Sequence, residues 1–223
     1  MKGILIRNGL IGYKDLPKVA CTSIKKTLYG LENREVYRYE KTGRDVHDYF
    51  WEKKVEIDKC DIKVIVIRDP VKRFLSAYSN RVGYHGECSR LYVEKNSPHL
   101  VEKIKSFDPA LNDFVQDLDI YREIKSIGWH VKPMFDHDVR DLSFFTHVFK
   151  IENISFFSDL LSKVYDEKVQ FGREQTGGVK LALKDLSEDS LDYLLNFYKD
   201  DYEFLSSIYS VDNVWKEWNN LNA

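Results

Sequence analysis

The alternation of apolar and polar positions along the chain predicts short strands, most of them followed by an amphipathic helix. Two apolar runs flank Asn8-Gly9, a dipeptide typical of a hairpin turn. Residues 62–67 read IKVIVI, a run rich in β-branched residues that is typical of a strand buried on both faces of a parallel sheet. Asp69 and Pro70 then suit the N-cap and first position of a helix.

Apolar spacing predicts the remaining elements. After a loop at residues 14–23, apolar positions recur at i, i+3, i+4 and i+7 from Ile24, which indicates a helix with Thr22 or Ser23 as its N-cap. Further predictions are helices at 45–53, 109–127, 154–165 and 187–209, strands at 36–40 and 146–150, and a polar irregular segment at 83–108. This alternation indicates an α/β fold with a central parallel sheet flanked by helices.

Length and composition narrow the class of protein. Of the 223 residues, 43% are hydrophobic and 31% charged, proportions typical of a folded globular protein. The length predicts a single domain over residues 1–223, with residues 83–108 as an insertion or lid. The formal net charge of −2 lacks the basic excess of a general nucleic-acid binder, so we expect no nucleic-acid partner.

Cysteine usage and hydropathy predict the compartment. Cys21, Cys60 and Cys88 form no CxxC pair and no zinc-finger spacing, so neither a disulfide framework nor a metal site is expected. The opening residues MKGILIRNGL hold too short an apolar run for a signal peptide, and no stretch reaches the ~18 apolar residues of a transmembrane helix. We therefore expect a cytoplasmic protein without a transmembrane segment.

The first motif with candidate chemistry is PKVACTS at residues 17–23, between a predicted strand and a predicted helix. A helix N-terminus favours an anion through its N–H groups and dipole, Thr22 and Ser23 add hydroxyl donors, and Lys18 adds a positive charge. The segment lacks both glycines of the GxxxxGK[ST] loop, which disfavours an ordinary ATP or GTP hydrolase. Taken alone, such a loop is more often simply a capped helix start.

The second motif is IVIRDPVKRFLSAYSNR at residues 65–81. Arg68 directly follows the run at 62–67, and ligands of open α/β sheets collect at the carboxyl ends of strands. Ser76 lies about two helical turns later, so both side chains are candidates for binding one phosphate. Alternatively, Arg68 caps a helix or pairs with Asp69.

Together, the two motifs resemble the elements with which sulfotransferases bind 3′-phosphoadenosine 5′-phosphosulfate (PAPS). They are most similar to those of the family-2 carbohydrate sulfotransferases, which read like PKVACT and VRDPxxRxxSAY. Weaker similarities lie at WHVKPM (129–134), FKIEN (149–153) and YKDDY (198–202). The resemblance implies a P-loop NTPase-like sulfotransferase fold.

The resemblance also implies a role for each matched residue. Lys18 would bridge the leaving phosphate and the sulfuryl group, while Arg68 and Ser76 would bind the 3′-phosphate that distinguishes PAPS from ATP. The 5′-phosphate would be held by the loop residues Val19, Ala20, Cys21, Thr22 and Ser23. The nucleotide product would be 3′,5′-ADP, and no metal is implied.

A general base would assist attack by an acceptor hydroxyl, and histidine suits this role near neutral pH. His47 is the first candidate, since related enzymes place a catalytic histidine between the two motifs; alternatively it is a helix-start residue beside Asp45. His130 is the second candidate, as base or as substrate contact. His85, in the segment 83–108, is a further candidate substrate contact.

A later loop, QTGGVK at residues 175–180, loosely resembles the segment that closes over the nucleotide in this fold. Gly177 and Lys180 would then contact the cofactor; the alternative is an ordinary surface loop. We expect Trp51 and Trp129 to pack in the core, although either could stack on adenine or sugar.

The leading hypothesis is sulfuryl transfer from PAPS to a small-molecule, glycan or glycolipid acceptor, above all a carbohydrate hydroxyl. One alternative is a nucleotide-dependent kinase with an atypical phosphate loop, which would show Mg²⁺-dependent ATPase activity. The other is a non-catalytic nucleotide-binding module, which would bind 3′,5′-ADP without turnover.

Overall fold

The computed structural model describes residues 1–172 and 177–223. Its α-helices are α1 (Cys21–Asn33), α2 (Tyr39–Thr42), α3 (Val46–Trp51), α4 (Pro70–Tyr78), α5 (Arg90–Asn96), α6 (Leu111–Gln116), α7 (Leu118–Tyr121), α8 (Lys125–Val131), α9 (Ser155–Tyr165), α10 (Glu188–Phe197), α11 (Lys199–Phe204) and α12 (Val211–Asn222). Its strands are β1 (Lys2–Ile6), β2 (Ile11–Lys14), β3 (Val55–Glu56), β4 (Ile62–Ile67) and β5 (His147–Lys150). These elements form two compact units, one of Met1–Arg68 with residues 141–172 and one of Asp69–Arg140 with Gly177–Ala223.

The first unit contains a five-stranded sheet in the order β3-β1-β2-β4-β5. β1 and β2 form the predicted hairpin, and β3 pairs antiparallel with β1. β2, β4 and β5 are parallel, with Tyr13 opposite Val64 and Val64 opposite His147. The α/β class, the parallel pairing and the strand at 62–67 are thereby confirmed, whereas β1 and β3 make the sheet mixed.

Helix α9, confirmed close to its predicted range, contributes an aromatic side chain to the core of this unit. The Phe157 ring lies 5.4 Å from that of Phe149 and 5.6 Å from that of Tyr13, measured between ring centroids. Phe157 and Tyr13 are both fully buried. Burying a side chain of this size contributes roughly 1.5–3 kcal/mol, so this stack helps to fix β2 and β5.

The described residues of the second unit form helices and loops around one apolar core. α4 begins as predicted, with the Asp69 carboxylate capping its first turn and Pro70 at its first position. Phe74 on the apolar face of α4 packs against Phe114 at 5.9 Å and Tyr198 at 6.5 Å between ring centroids. The helix is therefore held by aromatic contacts from α6 and from the end of α10.

A fully buried arginine ties α4 to the C-terminal end of α8 and the residue that follows it. The Arg73 guanidinium donates hydrogen bonds to the carbonyl oxygens of His130 at 3.1 Å and Lys132 at 2.6 Å. The Asp201 carboxylate, also fully buried, lies 3.9 Å from Arg73 and supplies the opposite charge. Sequence spacing did not identify this pair, because it joins residues far apart in the chain.

Asp201 and Tyr198 also bind the backbone at the end of α8 and just after it. Asp201 accepts hydrogen bonds from the backbone N–H groups of Met134 at 2.8 Å and Phe135 at 3.2 Å, and Tyr198 donates to the carbonyl oxygen of Val131. Burial raises the pKa of Asp201, while Arg73 and the two N–H groups oppose that rise. The YKDDY motif thus fixes the backbone of the WHVKPM motif.

The predicted strand at residues 36–40 is wrong. Val36 is 74% exposed, and the residues from Tyr39 form α2. The edge position beside β1 is occupied by β3, where Lys2 pairs with Glu56, so the 36–40 segment has no place in the sheet.

The predicted N-cap of the first helix is also wrong. α1 begins at Cys21, and the cap position is Ala20 in a left-handed conformation with φ of 61°. Thr22 and Ser23 therefore lie inside the first turn of α1. Helix N-caps are usually Ser, Thr, Asp or Asn, whereas here the N-cap is Ala20, in the loop that carries the candidate chemistry.

The long helices predicted at 109–127 and 187–209 are each divided. The backbone leaves helical geometry at Asp117 (φ −106°) and at Tyr198 (φ −101°). The break at Tyr198 lies where its hydroxyl and Asp201 engage the segment after α8, so tertiary contacts override local propensity. Helix α12 was missed, although apolar residues recur at helical spacing in Val211, Val214, Trp215 and Trp218.

Residues 83–108 contain a helix, so the expectation of an irregular segment is wrong there. α5 lies within it, and Val93 and Leu100 are fully buried in the core of the second unit. A hydrogen bond from Asp108 N to Cys88 O at 3.0 Å connects its two halves. Its description as an insertion or lid, and the single-domain assignment, stay predictions.

We predict that Asp201→Ala destabilises the protein by about 3–5 kcal/mol, because it leaves Arg73 and two N–H groups buried without their carboxylate. Asp201→Asn keeps one acceptor oxygen and should cost less. Urea unfolding measures both, with the exposed Asp200→Ala as control. A loss below ~1 kcal/mol for Asp201→Ala would contradict the stabilising role of this network.

Candidate functional site

The carboxyl ends of two neighbouring parallel strands bring the first two motifs together. Lys14, the last residue of β2, lies opposite Ile65 of β4. The chain leaves β2 into the loop at residues 15–20, which leads to α1, and it leaves β4 at Arg68. Carboxyl ends of adjacent parallel strands are where ligands of open α/β sheets bind.

The loop before α1 has an unusual backbone. Lys18 and Ala20 both have positive φ, 65° and 61°, in the left-handed region that side-chain-bearing residues seldom adopt. Alanine offers no side-chain acceptor, so α1 starts without a side-chain cap. A turn of alternating handedness at an uncapped helix start directs backbone N–H groups to one place and favours an anion there.

Arg68 contacts this loop directly. Its Nη1 donates a hydrogen bond to the carbonyl oxygen of Lys18 at 3.3 Å. Both side chains are half-buried. The structure therefore brings together Lys18 and Arg68, 50 residues apart in the sequence, and places a second positive charge at the loop.

His47 also lies at the loop. Its Nε2 is 2.9 Å from the Thr22 hydroxyl, and its Nδ1 is 3.2 Å from the Lys25 ammonium. The Asp45 carboxylate caps α3 by accepting from the His47 backbone N–H at 2.8 Å. His47 is thus a helix-start residue, as one alternative proposed, and its ring is held against the first turn of α1.

Behind His47 lies a buried ionic cluster that sequence reasoning missed. The Asp15 carboxylate is 2.6 Å from the ammonium groups of both Lys25 and Lys54, with side-chain exposures of 9%, 4% and 15% respectively. Burial acts to raise the pKa of Asp15, but the two lysines outweigh it and lower that pKa to about 2. The feature of the sequence that could have revealed this cluster is the position of Asp15, immediately after β2.

The first unit also contains a cavity of about 760 Å³, and Ser23 is one of the residues that line it. One wall is the face of α1 that carries Ser23, Lys26 and Thr27, and the other is formed by residues 167–170 and Gly172. Pockets of a few hundred Å³ or more are the size that small organic ligands occupy.

Of the second-unit residues predicted for the site, His130 has the best-defined hydrogen bonds. Its Nδ1 is 2.6 Å from the carbonyl oxygen of Ser126, which can only accept, and its Nε2 is 2.8 Å from Arg81 Nη2, which can only donate. The ring is therefore neutral with its proton on Nδ1. Because both ring nitrogens are engaged, this geometry favours a structural role.

The later loop packs against the turn that follows α4. A Cβ at Gly177 would lie 2.6 Å from the Tyr84 ring, and Gly178 has a φ of +96°. Ser79 Oγ donates to the carbonyl oxygen of Val179 at 2.6 Å. Residues 79–84 form a π-helical turn, which sequence reasoning missed; such turns are frequent at functional sites.

The other predicted residues of this unit are at or near the surface. Ser76 is half-buried on α4, while His85 and Lys180 are exposed. Gln175 and Thr176, the first residues of the predicted loop, lie outside the described residues.

The expected core packing of two tryptophans is wrong. Trp51 is 57% exposed and Trp129 is 41% exposed. Each indole is instead covered by a lysine: Lys54 Nζ lies 4.6 Å from one ring centroid and Lys132 Nζ lies 4.4 Å from the other. Cation–π contacts at exposed sites contribute about 0.5–1 kcal/mol each.

The described residues hold no cluster of three or more His, Cys, Asp or Glu side chains with metal-binding geometry. Within residues 1–172 and 177–223, no helix combines the length and apolar character needed to cross a bilayer.

Comparison with known proteins identifies a matching family. A family model described as the sulfotransferase family matches residues 7–209 of the 223-residue chain. Neither the curated proteins nor the solved structures yield a significant match. The matched range includes both motifs, the ionic cluster and the π-helical turn.

We predict an acid-side loss of stability from Asp15. Its folded pKa of about 2 lies below the unfolded value near 3.9, so its ionised form stabilises the fold above that value. This contribution, about 2 kcal/mol, should be lost as pH falls from ~4 to ~2. Asp15→Asn should be less stable at neutral pH and should lack this slope in pH-dependent urea unfolding. The exposed Asp159→Asn is the control; an unchanged slope in Asp15→Asn would contradict the assignment.

Proposed function

The chain belongs to the sulfotransferase family, and from this membership we propose that it transfers a sulfuryl group from PAPS to a carbohydrate or glycolipid hydroxyl. Sulfuryl transfer is the family's reaction; the donor and the acceptor are our proposal. The kinase hypothesis predicts binding of ATP with Mg²⁺, and the binding-module hypothesis predicts binding of 3′,5′-ADP without turnover. The experiments below separate both from the proposal.

The observation that carries the proposal is the loop between β2 and α1. Two left-handed residues, Lys18 and Ala20, precede an uncapped helix start, and Arg68 donates to the carbonyl oxygen of Lys18. The loop fits a phosphosulfate, because its backbone N–H donors, the helix dipole and the Lys18 charge all favour an anion. We place the 5′-phosphosulfate on the backbone from Val19 to Ser23.

When bound, PAPS supplies an activated sulfuryl group whose S–O bond to the 5′-phosphate breaks. Lys18 is proposed to neutralise the charge that develops on the bridging oxygen as this bond breaks. A preorganised cation at the point of developing charge acts without reorganisation during the reaction. The protein's work in such an in-line transfer is positioning and electrostatic stabilisation.

We assign recognition of the 3′-phosphate to Arg68, because its guanidinium can bind two oxygens at once. Ser76, Gly177 and Lys180 are proposed as further cofactor contacts on the strength of motif resemblance. The cavity lined by Ser23 has room for a nucleoside, and we propose that it takes the adenosine.

For the acceptor, a hydroxyl of a glycan or glycolipid is the proposal, with His47, His85 and His130 as candidate contacts. His47 is the histidine at the phosphate loop, through its contact with Thr22. We propose that its ring acts there as the general base that takes up the proton of the acceptor hydroxyl.

We predict that Lys18→Met lowers sulfuryl transfer by about 10²–10³-fold, the scale of removing one transition-state donor. The fold should persist, since the side chain is half-buried and the change keeps its length. Release of 3′,5′-ADP from PAPS with a panel of oligosaccharide and glycolipid acceptors measures the rate. Lys105→Met, at an exposed ion pair, is the matched control. A rate within about two-fold of wild type would remove Lys18 from the reaction.

We predict that Arg68→Ala weakens 3′,5′-ADP binding by about 1.5–3 kcal/mol, the range for a hydrogen bond to a charged group. Affinity for 5′-AMP, which has no 3′-phosphate, should change less. Arg68→Lys keeps the charge but loses the fork, so its affinity should be intermediate. Calorimetry measures all three, with the exposed Arg90→Ala as control. Equal losses for both nucleotides would contradict a 3′-phosphate contact.

A further inference from the structure

Helix α3 presents an exposed tryptophan on the same face as the proposed general base. His47 and Trp51 are four residues apart, so their side chains lie about one helical turn from each other. Val46 and Phe50, on the opposite face of α3, are buried, whereas Trp51 is 57% exposed. More than half of this residue is therefore accessible to a ligand next to His47.

One ionic cluster fixes both the indole and the imidazole. Lys54 Nζ lies 4.6 Å from the centroid of the Trp51 ring and 2.6 Å from the Asp15 carboxylate. Asp15 also binds Lys25, whose ammonium lies 3.2 Å from Nδ1 of His47. An indole held by such contacts loses little conformational freedom when a ligand stacks on it, which favours binding.

An exposed carboxylate lies beside the indole. Asp48 is three residues before Trp51 and follows His47 directly, so the three side chains share one face of α3. A carboxylate accepts hydrogen bonds from hydroxyl groups. An aromatic ring next to such an acceptor suits a pyranose, which has a face of C–H groups and a rim of hydroxyl groups. The C–H groups carry a slight positive charge that the negative π-face attracts.

The adenosine of the donor is assigned to a different part of this unit. Within the part of the chain that the structure describes, the residues that line the cavity proposed for adenosine do not include Trp51. The reacting hydroxyl, in contrast, has to come within hydrogen-bond reach of His47. The sugar that carries this hydroxyl then lies within reach of an indole one helical turn away.

We propose that Trp51 stacks on a pyranose ring of the acceptor and that Asp48 accepts hydrogen bonds from the hydroxyl groups of that ring. Both residues then determine specificity for carbohydrate acceptors, while His47 takes up the proton. The proposal rests on the proposed function, because it places the acceptor sugar at the proposed base.

The first test reads the indole without any turnover. The chain has four tryptophans, so ¹⁹F NMR of protein labelled with 5-fluorotryptophan resolves Trp51 as the resonance missing from Trp51→Phe. Titration with the methyl β-pyranosides of glucose, galactose and N-acetylglucosamine should shift this resonance, with saturation at millimolar concentration for at least one of them. Sorbitol has hydroxyl groups but no ring, so it should cause no shift. Absence of a shift with all three pyranosides, or an equal shift with sorbitol, would overturn the proposal.

The second test is kinetic and uses the best acceptor of the oligosaccharide and glycolipid panel. Trp51→Leu should lower kcat/KM about ten-fold or more, mainly by raising KM, because a stack holds the bound substrate and the transition state alike. Trp51→Phe keeps a smaller ring and should be intermediate. Phe156→Leu, at an exposed aromatic residue on α9 of the same unit, is the control.

Two results of this second test would contradict the stack. Equal losses for Trp51→Leu and Trp51→Phe would show that no aromatic ring is needed. A loss of 3′,5′-ADP affinity in Trp51→Leu, measured by calorimetry, would assign the indole to the nucleotide instead of the acceptor.

The third test addresses the carboxylate. Asp48→Ala should lower kcat/KM for the same acceptor about ten-fold, the scale of a hydrogen bond to a charged group, and Asp48→Asn, which keeps one acceptor oxygen, should lose less. The exposed Asp159→Ala is the control. A value of kcat/KM for Asp48→Ala equal to that of the control would remove Asp48 from the acceptor site. Failure of the wild-type protein to bind 3′,5′-ADP would instead count against the proposed function, and the ¹⁹F titration would still test the sugar contact.

Discussion

The parallel pairing of β2 with β4 is the constraint on which the site depends. With Lys14 opposite Ile65, the two strands end side by side, and the loop after one faces the arginine after the other. In this register Arg68 donates a hydrogen bond to the carbonyl oxygen of Lys18. A slip of one residue would reverse the faces of β4 and move its buried side chains to the opposite side.

Charge is distributed unevenly around this loop, although the whole chain is nearly neutral. Lys18, Arg68, Lys25 and Lys54 lie at or below it, and Asp15 is the carboxylate that balances two of them. The uncapped start of α1 adds its dipole in the same sense. Such an environment favours an anion, which is why we propose the loop as a binding site and not merely as a helix start.

Much of the fold was predictable because its signals are local. The IKVIVI strand, the Asn8-Gly9 hairpin, and Asp69-Pro70 at the start of α4 each follow from neighbouring residues. The motifs at Lys18 and Arg68 were recognised, and parallel pairing explains why they meet. The Arg73–Asp201 pair and the Asp15 cluster escaped prediction, because each joins residues whose proximity only tertiary structure creates. The left-handed Ala20 was hidden for another reason: local preference favours a polar cap, and the loop before α1 departs from it.

The central claim is that the loop before α1 binds the 5′-phosphate of a nucleotide and that Arg68 recognises its 3′-phosphate. Calorimetric titration of the wild-type protein with 3′,5′-ADP, 5′-AMP and ATP, each without and with Mg²⁺, tests it most directly. The account predicts micromolar affinity for 3′,5′-ADP, independent of Mg²⁺, and affinity at least about ten-fold lower for the two nucleotides that lack a 3′-phosphate. Equal affinity for all three, or preferential binding of ATP with Mg²⁺, would contradict it.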